Sequence, residues 1–141
     1  MPDAGMEQQL RIVEYADLVT DEEKVAYVLA HTDSNHDRSS INLALLNRYR
    51  VHLEKLSKRF NESVRDIGEM TLATREKLVD GGVSEECATI MEGIRSLDAD
   101  NNSSFAEICS AYILLRTSGK MSHDRAIKGL RGILDYGSAP E

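Results

Sequence analysis

The stretch Asp98–Gly119, DADNNSSFAEICSAYILLRTSG, decides the fold class. Ser104 stands three residues before Glu107, the spacing of a capping box: the serine oxygen accepts an orphan backbone N–H and the carboxylate reaches back to the cap. From Phe105 the apolar residues recur at Ile108, Cys109, Tyr112, Ile113 and Leu115, one face of a 3.6-residue period. Ala106, Ala111 and Leu114 carry that stripe almost round the helix and leave Glu107 and Ser110 as its polar edge. A helix apolar nearly all round has to be covered on several sides, so a buried core helix is expected over about 104–117. Ser118-Gly119 should close it, with Gly119 left-handed. The run Ile108–Leu115 is far short of the roughly 20 residues that cross a bilayer.

Working outward, a chain of 141 residues suits one domain, which at this size buries roughly two-thirds of its surface. Its prolines, Pro2 and Pro140, leave the interior without the strongest helix breaker. Tryptophan is absent and phenylalanine scarce, so the core must come from Leu, Ile, Val, Ala and Met. Alternating β-branched runs are lacking, which argues against a sheet. The expectation is an all-α, single-domain helical bundle of five to seven helices packed around the apolar helix, with residues 1–5 and 137–141 as loose ends. Cys87 and Cys109 fall on or beside apolar faces, and no apolar signal segment is present. That pattern reads as a reduced, cytoplasmic protein.

Along the chain, Met6–Leu18 reads as a first amphipathic helix. Thr20 with Glu23 forms a second capping box, opening a helix with Val25, Val28 and Leu29 inward that stops near His31. A polar loop follows, and Ser40 is positioned to cap the longest helical pattern. There Leu46, Tyr49, Leu53, Leu56 and Phe60 step as a heptad seam that Ile67 continues, with His52 on the exposed side. Gly68 is the expected break. A further helix passes Leu72, Arg75 and Leu78 to Gly81-Gly82. Ser84 opens the next, with Ile90, Met91 and Ile94 inward. Ser122 opens the last, with Ala126, Ile127, Leu130, Ile133 and Leu134 apolar. Gly129 and Gly132 within it suggest close approach of a neighbour, since each costs roughly 1 kcal/mol against alanine.

Asp80-Gly-Gly-Val-Ser-Glu-Glu and Ser118-Gly-Lys-Met-Ser-His-Asp share a small-Gly-x-apolar-Ser pattern. An apolar residue ahead of a Ser cap explains the echo without a duplication. These two turns resemble those of the tellurite-resistance-type helical family, a likeness confined to the turns.

Charge is the most informative surface feature. The net charge is −7, and residues 1–37 carry nine acids against two bases. Residues 38–59 reverse this, with six bases (Arg38, Arg48, Arg50, Lys55, Lys58, Arg59) against Glu54. A basic helix in an acidic chain argues against phosphate-backbone binding and for pairing with an acidic protein surface, on another protein or on a second copy in a homodimer. Arg48, Arg50, Lys55 and Arg59 are the expected contact residues.

Two segments place oxygen ligands at alternate positions, Asp33-x-Asn35-x-Asp37 and Asp98-x-Asp100-x-Asn102. The second is similar to the opening of an EF-hand calcium loop, which would make Asp98, Asp100, Asn102 and Glu107 the metal ligands and calcium the one cofactor to expect. It departs from that pattern: Glu107 arrives at the tenth position, Cys109 holds the twelfth, and Ser103 stands where the glycine belongs. His31 and His36 share a loop with Asp33 and Asp37 without a spacing that fixes a partner. Lys128-Gly-Leu-Arg-Gly132 is similar to the clamping loop of KH domains, yet sits inside a helical period. The leading expectation is therefore a non-enzymatic protein-interaction module, an adaptor, chaperone-like subunit or small inhibitor without catalytic residues. The alternative is a calcium-binding protein.

Overall fold

The computed structural model describes residues 4–97 and 103–138. Among these the chain is all-α, with helices α1 (Ala4–Leu10), α2 (Asp21–Asp33), α3 (Leu43–Phe60), α4 (Val64–Asp80), α5 (Cys87–Arg95), α6 (Phe105–Thr117) and α7 (His123–Ser138), and single 3-10 turns at Tyr15–Asp17 and Arg38–Ser40. No helix among the described residues is long and apolar enough to cross a membrane. The chain divides into two compact units, Met1–Gly68 and Glu69–Glu141.

In the first unit both α1 and α2 pack on α3. The Thr20 capping box forms: Thr20 Oγ1 accepts from Glu23 N at 3.2 Å and Glu23 Oε1 accepts from Thr20 N at 3.1 Å. The bond from Thr20 N, with a second from Thr20 Oγ1 to Glu23 Oε1 at 2.9 Å, holds the Glu23 carboxyl below its ordinary range. Behind this cap α2 buries Ala26, Tyr27, Leu29 and Ala30, while Val28, expected inward, is exposed. The first helix ends at Leu10 and not at Leu18. The chain beyond it pairs with the entry to α3, Val13 N donating to Ile41 O at 2.9 Å and Leu43 N to Arg11 O at 3.0 Å, around the isolated bridge Ile12–Asn42. Backbone committed to that bridge cannot also close helical turns. The same pairing delays α3, whose cap is Asn42, its side chain accepting from Leu45 N at 2.8 Å; Ser40 ends the preceding 3-10 turn.

The seam of α3 is buried at Leu46, Tyr49, Leu53 and Leu56, each such side chain contributing about 1.5–3 kcal/mol when fully covered. His52 is buried too, at 6 % exposure, contrary to the sequence expectation. The long pattern through Ile67 is two helices. Asn61 turns left-handed (φ 52°) and ends α3, and Ser57 Oγ donates to Glu62 O at 2.6 Å across the corner. Gly68, read as the break, instead lies inside α4, where a β-carbon would run into Val25 Cγ1. It is a place of close helix approach.

In the second unit α4 ends at Gly81-Gly82, Gly82 taking φ 82° while Val83 N bonds back to Leu78 O at 2.7 Å. The next helix starts at Cys87, with Glu86 as its cap, two residues later than a Ser84 cap suggested. It buries Cys87, Ile90, Met91 and Ile94, and Leu97 follows them inside. The Ser104–Glu107 capping box opens α6 as expected. Phe105, Ile108, Cys109 and Tyr112 are buried, but Leu114 is 61 % exposed on the polar edge with Glu107 and Ser110. One side of this helix faces water, so its cover is less complete than the near-continuous apolar stripe implied. At its end the left-handed residue is Lys120 (φ 51°), not Gly119. Helix α7 packs against α5 and α6 and buries Ala126, Ile127, Leu130 and Leu134, leaving Ile133 exposed. A β-carbon on Gly132 would meet nothing within 4 Å, so that glycine admits no neighbour. The close approach of helices falls at Gly93 on α5.

Candidate functional site

The basic residues of α3 separate into two sets. Arg48, Lys55 and Arg59 lie along the side opposite the buried seam and are exposed, with Val51 between them at 45 % exposure. Lys58 flanks that face and pairs with Glu54 at 3.1 Å. Arg50 points elsewhere: its Nε donates to Glu22 Oε1 at 2.9 Å and its Nη1 to Asn47 Oδ1 at 3.3 Å. It ties α3 to α2. A half-exposed pair of this kind contributes under about 1 kcal/mol, setting orientation more than stability.

The loop after α2 has its acids engaged. Tyr49 donates to Asp33 Oδ2 at 2.7 Å. Asp37 accepts from Ser39 N, Ser39 Oγ and Ser40 Oγ at 3.0, 2.6 and 2.8 Å, and these bonds, the Ser39 hydroxyl foremost, hold its carboxyl below the ordinary range. His31 stacks on Tyr27 and its Nδ1 lies 3.2 Å from Nδ1 of His36. Among the described residues no three His, Cys, Asp or Glu side chains gather as a metal would require. Asp98, Asp100 and Asn102 lie outside the described residues. Glu107, the fourth expected calcium ligand, spends Oε1 on Ser104 N and Oγ at 3.4 and 3.2 Å.

The most developed polar arrangement is one that residue-by-residue sequence reading passed over. Arg116 follows Tyr112 by one turn and so continues the buried stripe of α6. A cation there needs partners, and it has three: Nη1 donates to Tyr112 Oη and to Glu85 Oε2, each at 2.7 Å, and Nε donates to Met121 O at 3.1 Å. The arginine and glutamate side chains are 10 % and 16 % exposed. Burial opposes the arginine's charge, but the bonds to Glu85 and Tyr112 outweigh it and raise its pKa. Tyr112, fully buried, has its pKa pushed up to about 12 by burial, with the Arg116 bond acting the other way.

Tyr112 Oη also lies 2.8 Å from His123 Nδ1. Arginine offers no acceptor, and which of Oη and Nδ1 donates follows the tautomer of the imidazole. A continuous chain of bonds thus runs Glu85–Arg116–Tyr112–His123. The ring lies against Gly93, where a β-carbon would come within 2.6 Å of His123 Cε1 and 3.0 Å of Nε2. His123 also lines a cleft of about 490 Å³ between α5 and α7, with Thr89, Glu92, Ser96, Lys128 and Arg131 among the other walls.

A family model described as MoxZ matches residues 28–133, from the middle of α2 into α7. No curated protein and no solved structure matches.

Proposed function

The chain belongs to the MoxZ family, and we propose that it is a non-enzymatic protein-interaction module that presents the outer face of α3 to an acidic surface of its partner. Its role would be that of an adaptor, a chaperone-like subunit or a small inhibitor. The observation that carries this reading is the arrangement of Arg48, Val51, Lys55 and Arg59 on one exposed side of a helix whose other side is buried. A half-exposed valine between cations supplies the apolar contact that charge alone does not, while the cations set encounter rate and register. The acidic residues 1–37 make a second copy of the chain one partner of the right chemistry. The buried thiols Cys87 and Cys109, neither in a disulfide, suit a reducing, cytoplasmic setting.

The test is the double reversal Arg48→Glu/Lys55→Glu. Both residues are exposed, so helicity by circular dichroism should be unchanged. Self-association in sedimentation velocity, or capture of the native partner, should be lost. In the wild type either one should weaken with added salt, as exposed charge pairs do. Association untouched by the reversal would remove α3 from the interface.

A further inference from the structure

The α5–α7 cleft is not part of that reading. Gly93 and Ile127 are among its lining, and its volume of about 490 Å³ falls within the roughly 300–1,000 Å³ typical of small-molecule pockets. The walls run in register. His123 stands opposite Gly93, and two turns further along α7 Arg131 Nη2 reaches Ser96 O at 3.5 Å. One end of the cleft therefore holds the imidazole and the other holds Arg131, with Lys128 between them on the same helix.

Three features bear on what would fill it. His123 lines the cleft, and with the Tyr112 hydroxyl 2.8 Å from Nδ1 donating to it, Nε2 would carry the ring's proton and donate to an oxygen of the ligand. Lys128 and Arg131 are exposed cations at the lip and supply countercharge. Glu92 and Asp124 stand on the same walls, so the lining carries as many acids as cations; a bare anion gains little there, and one that also carries hydroxyl or ammonium donors is the better match.

We propose that this cleft binds a small anion, a phosphate or a carboxylate, that also bears hydroxyl or ammonium groups. His123 Nε2–H would donate to the anion's oxygen and Lys128 and Arg131 would balance its charge. Glu85, Arg116 and Tyr112 are positioning residues: they touch no ligand but determine which imidazole nitrogen carries the proton.

The experiment is a titration of the 15N-labelled full chain at fixed ionic strength, with glycerol phosphate in one arm and malate in the other, followed by amide and imidazole NMR. Shifts confined to Gly93, Ser96, His123 and their neighbours in either arm support the proposal, and the arm that responds identifies the anion. Lys128→Gln/Arg131→Gln should weaken that binding by at least about tenfold, while Arg48→Glu/Lys55→Glu should leave it unchanged. The latter variant separates a failure here from a failure of the α3 reading. Imidazole 15N shifts should show His123 protonated on Nε2 in the wild type and a mixture of tautomers in Tyr112→Phe, with weaker binding in the variant. No cleft shifts in either arm, binding indifferent to the double glutamine variant, or a proton on Nδ1 in the wild type would overturn it.

Discussion

Removing one oxygen, in Tyr112→Phe, should make the stability of this protein cross that of its variant as pH rises. At neutral pH the phenylalanine leaves an Arg116 N–H and His123 Nδ1 without their buried partner, which costs about 1–2 kcal/mol, so the wild type is the more stable. The phenol's pKa lies at about 12 in the folded chain against an ordinary 10. A raised folded value means a contribution fully present below pH 10 and lost as pH climbs toward 12, because the unfolded chain ionises first. That difference corresponds to roughly 3 kcal/mol. The wild-type advantage should therefore shrink above pH 10 and reverse by about 1 kcal/mol near pH 12. Urea unfolding followed by circular dichroism, on both proteins at matched pH, cancels the other titrating groups. A difference that stays flat from pH 8 to pH 12, or widens in favour of the wild type, would refute the buried, hydrogen-bonded phenol.

Other outcomes follow from local packing. Ser104→Ala should lower stability by about 1 kcal/mol through loss of the α6 cap, read by urea unfolding; a change of only a few tenths would mean the box is not formed in solution. Gly68→Ala and Gly132→Ala should act with opposite signs although both lie in helices. The first drives a β-carbon into Val25 and should cost about 1–3 kcal/mol from overpacking, offset in part by helix propensity. The second meets nothing and should gain about 0.5–1 kcal/mol. Equal effects at the two positions would contradict the placement of α4.

How much of this was legible beforehand depended on whether the deciding contact was local. Both capping boxes were readable because Thr20–Glu23 and Ser104–Glu107 are complete within four residues. The apolar stripes of α3, α5 and α6 followed from periodicity alone. The end of α1 was not readable, since the backbone of residues 11–13 is claimed by residues 41–43, far along the chain. Gly68 and Asn61 exchanged roles for a similar reason: a glycine breaks a helix only where nothing needs the space its missing side chain leaves, and here Val25 does. The polar arrangement in the second unit had a signal that went unused. Arg116 falls one turn after Tyr112 on a buried stripe, and a charged residue in that register implies a built set of partners. His123 is harder, because its place becomes visible only when Ala126 and Leu130 define the inner face of α7. The calcium-like stretch Asp98–Asn102 lies outside the described residues, and only Glu107 is accounted for.

The claim that the outer face of α3 meets the partner can be read directly from lysine reactivity. The chain has lysines at 24, 55, 58, 77, 120 and 128, which sample α3, the cleft and the remaining surface separately. Amine labelling followed by mass spectrometry, on the isolated chain and on the native assembly, should find Lys55 protected in the assembly while Lys77 and Lys120 react as before. Lys55 equally reactive in both states, with protection elsewhere, would contradict it.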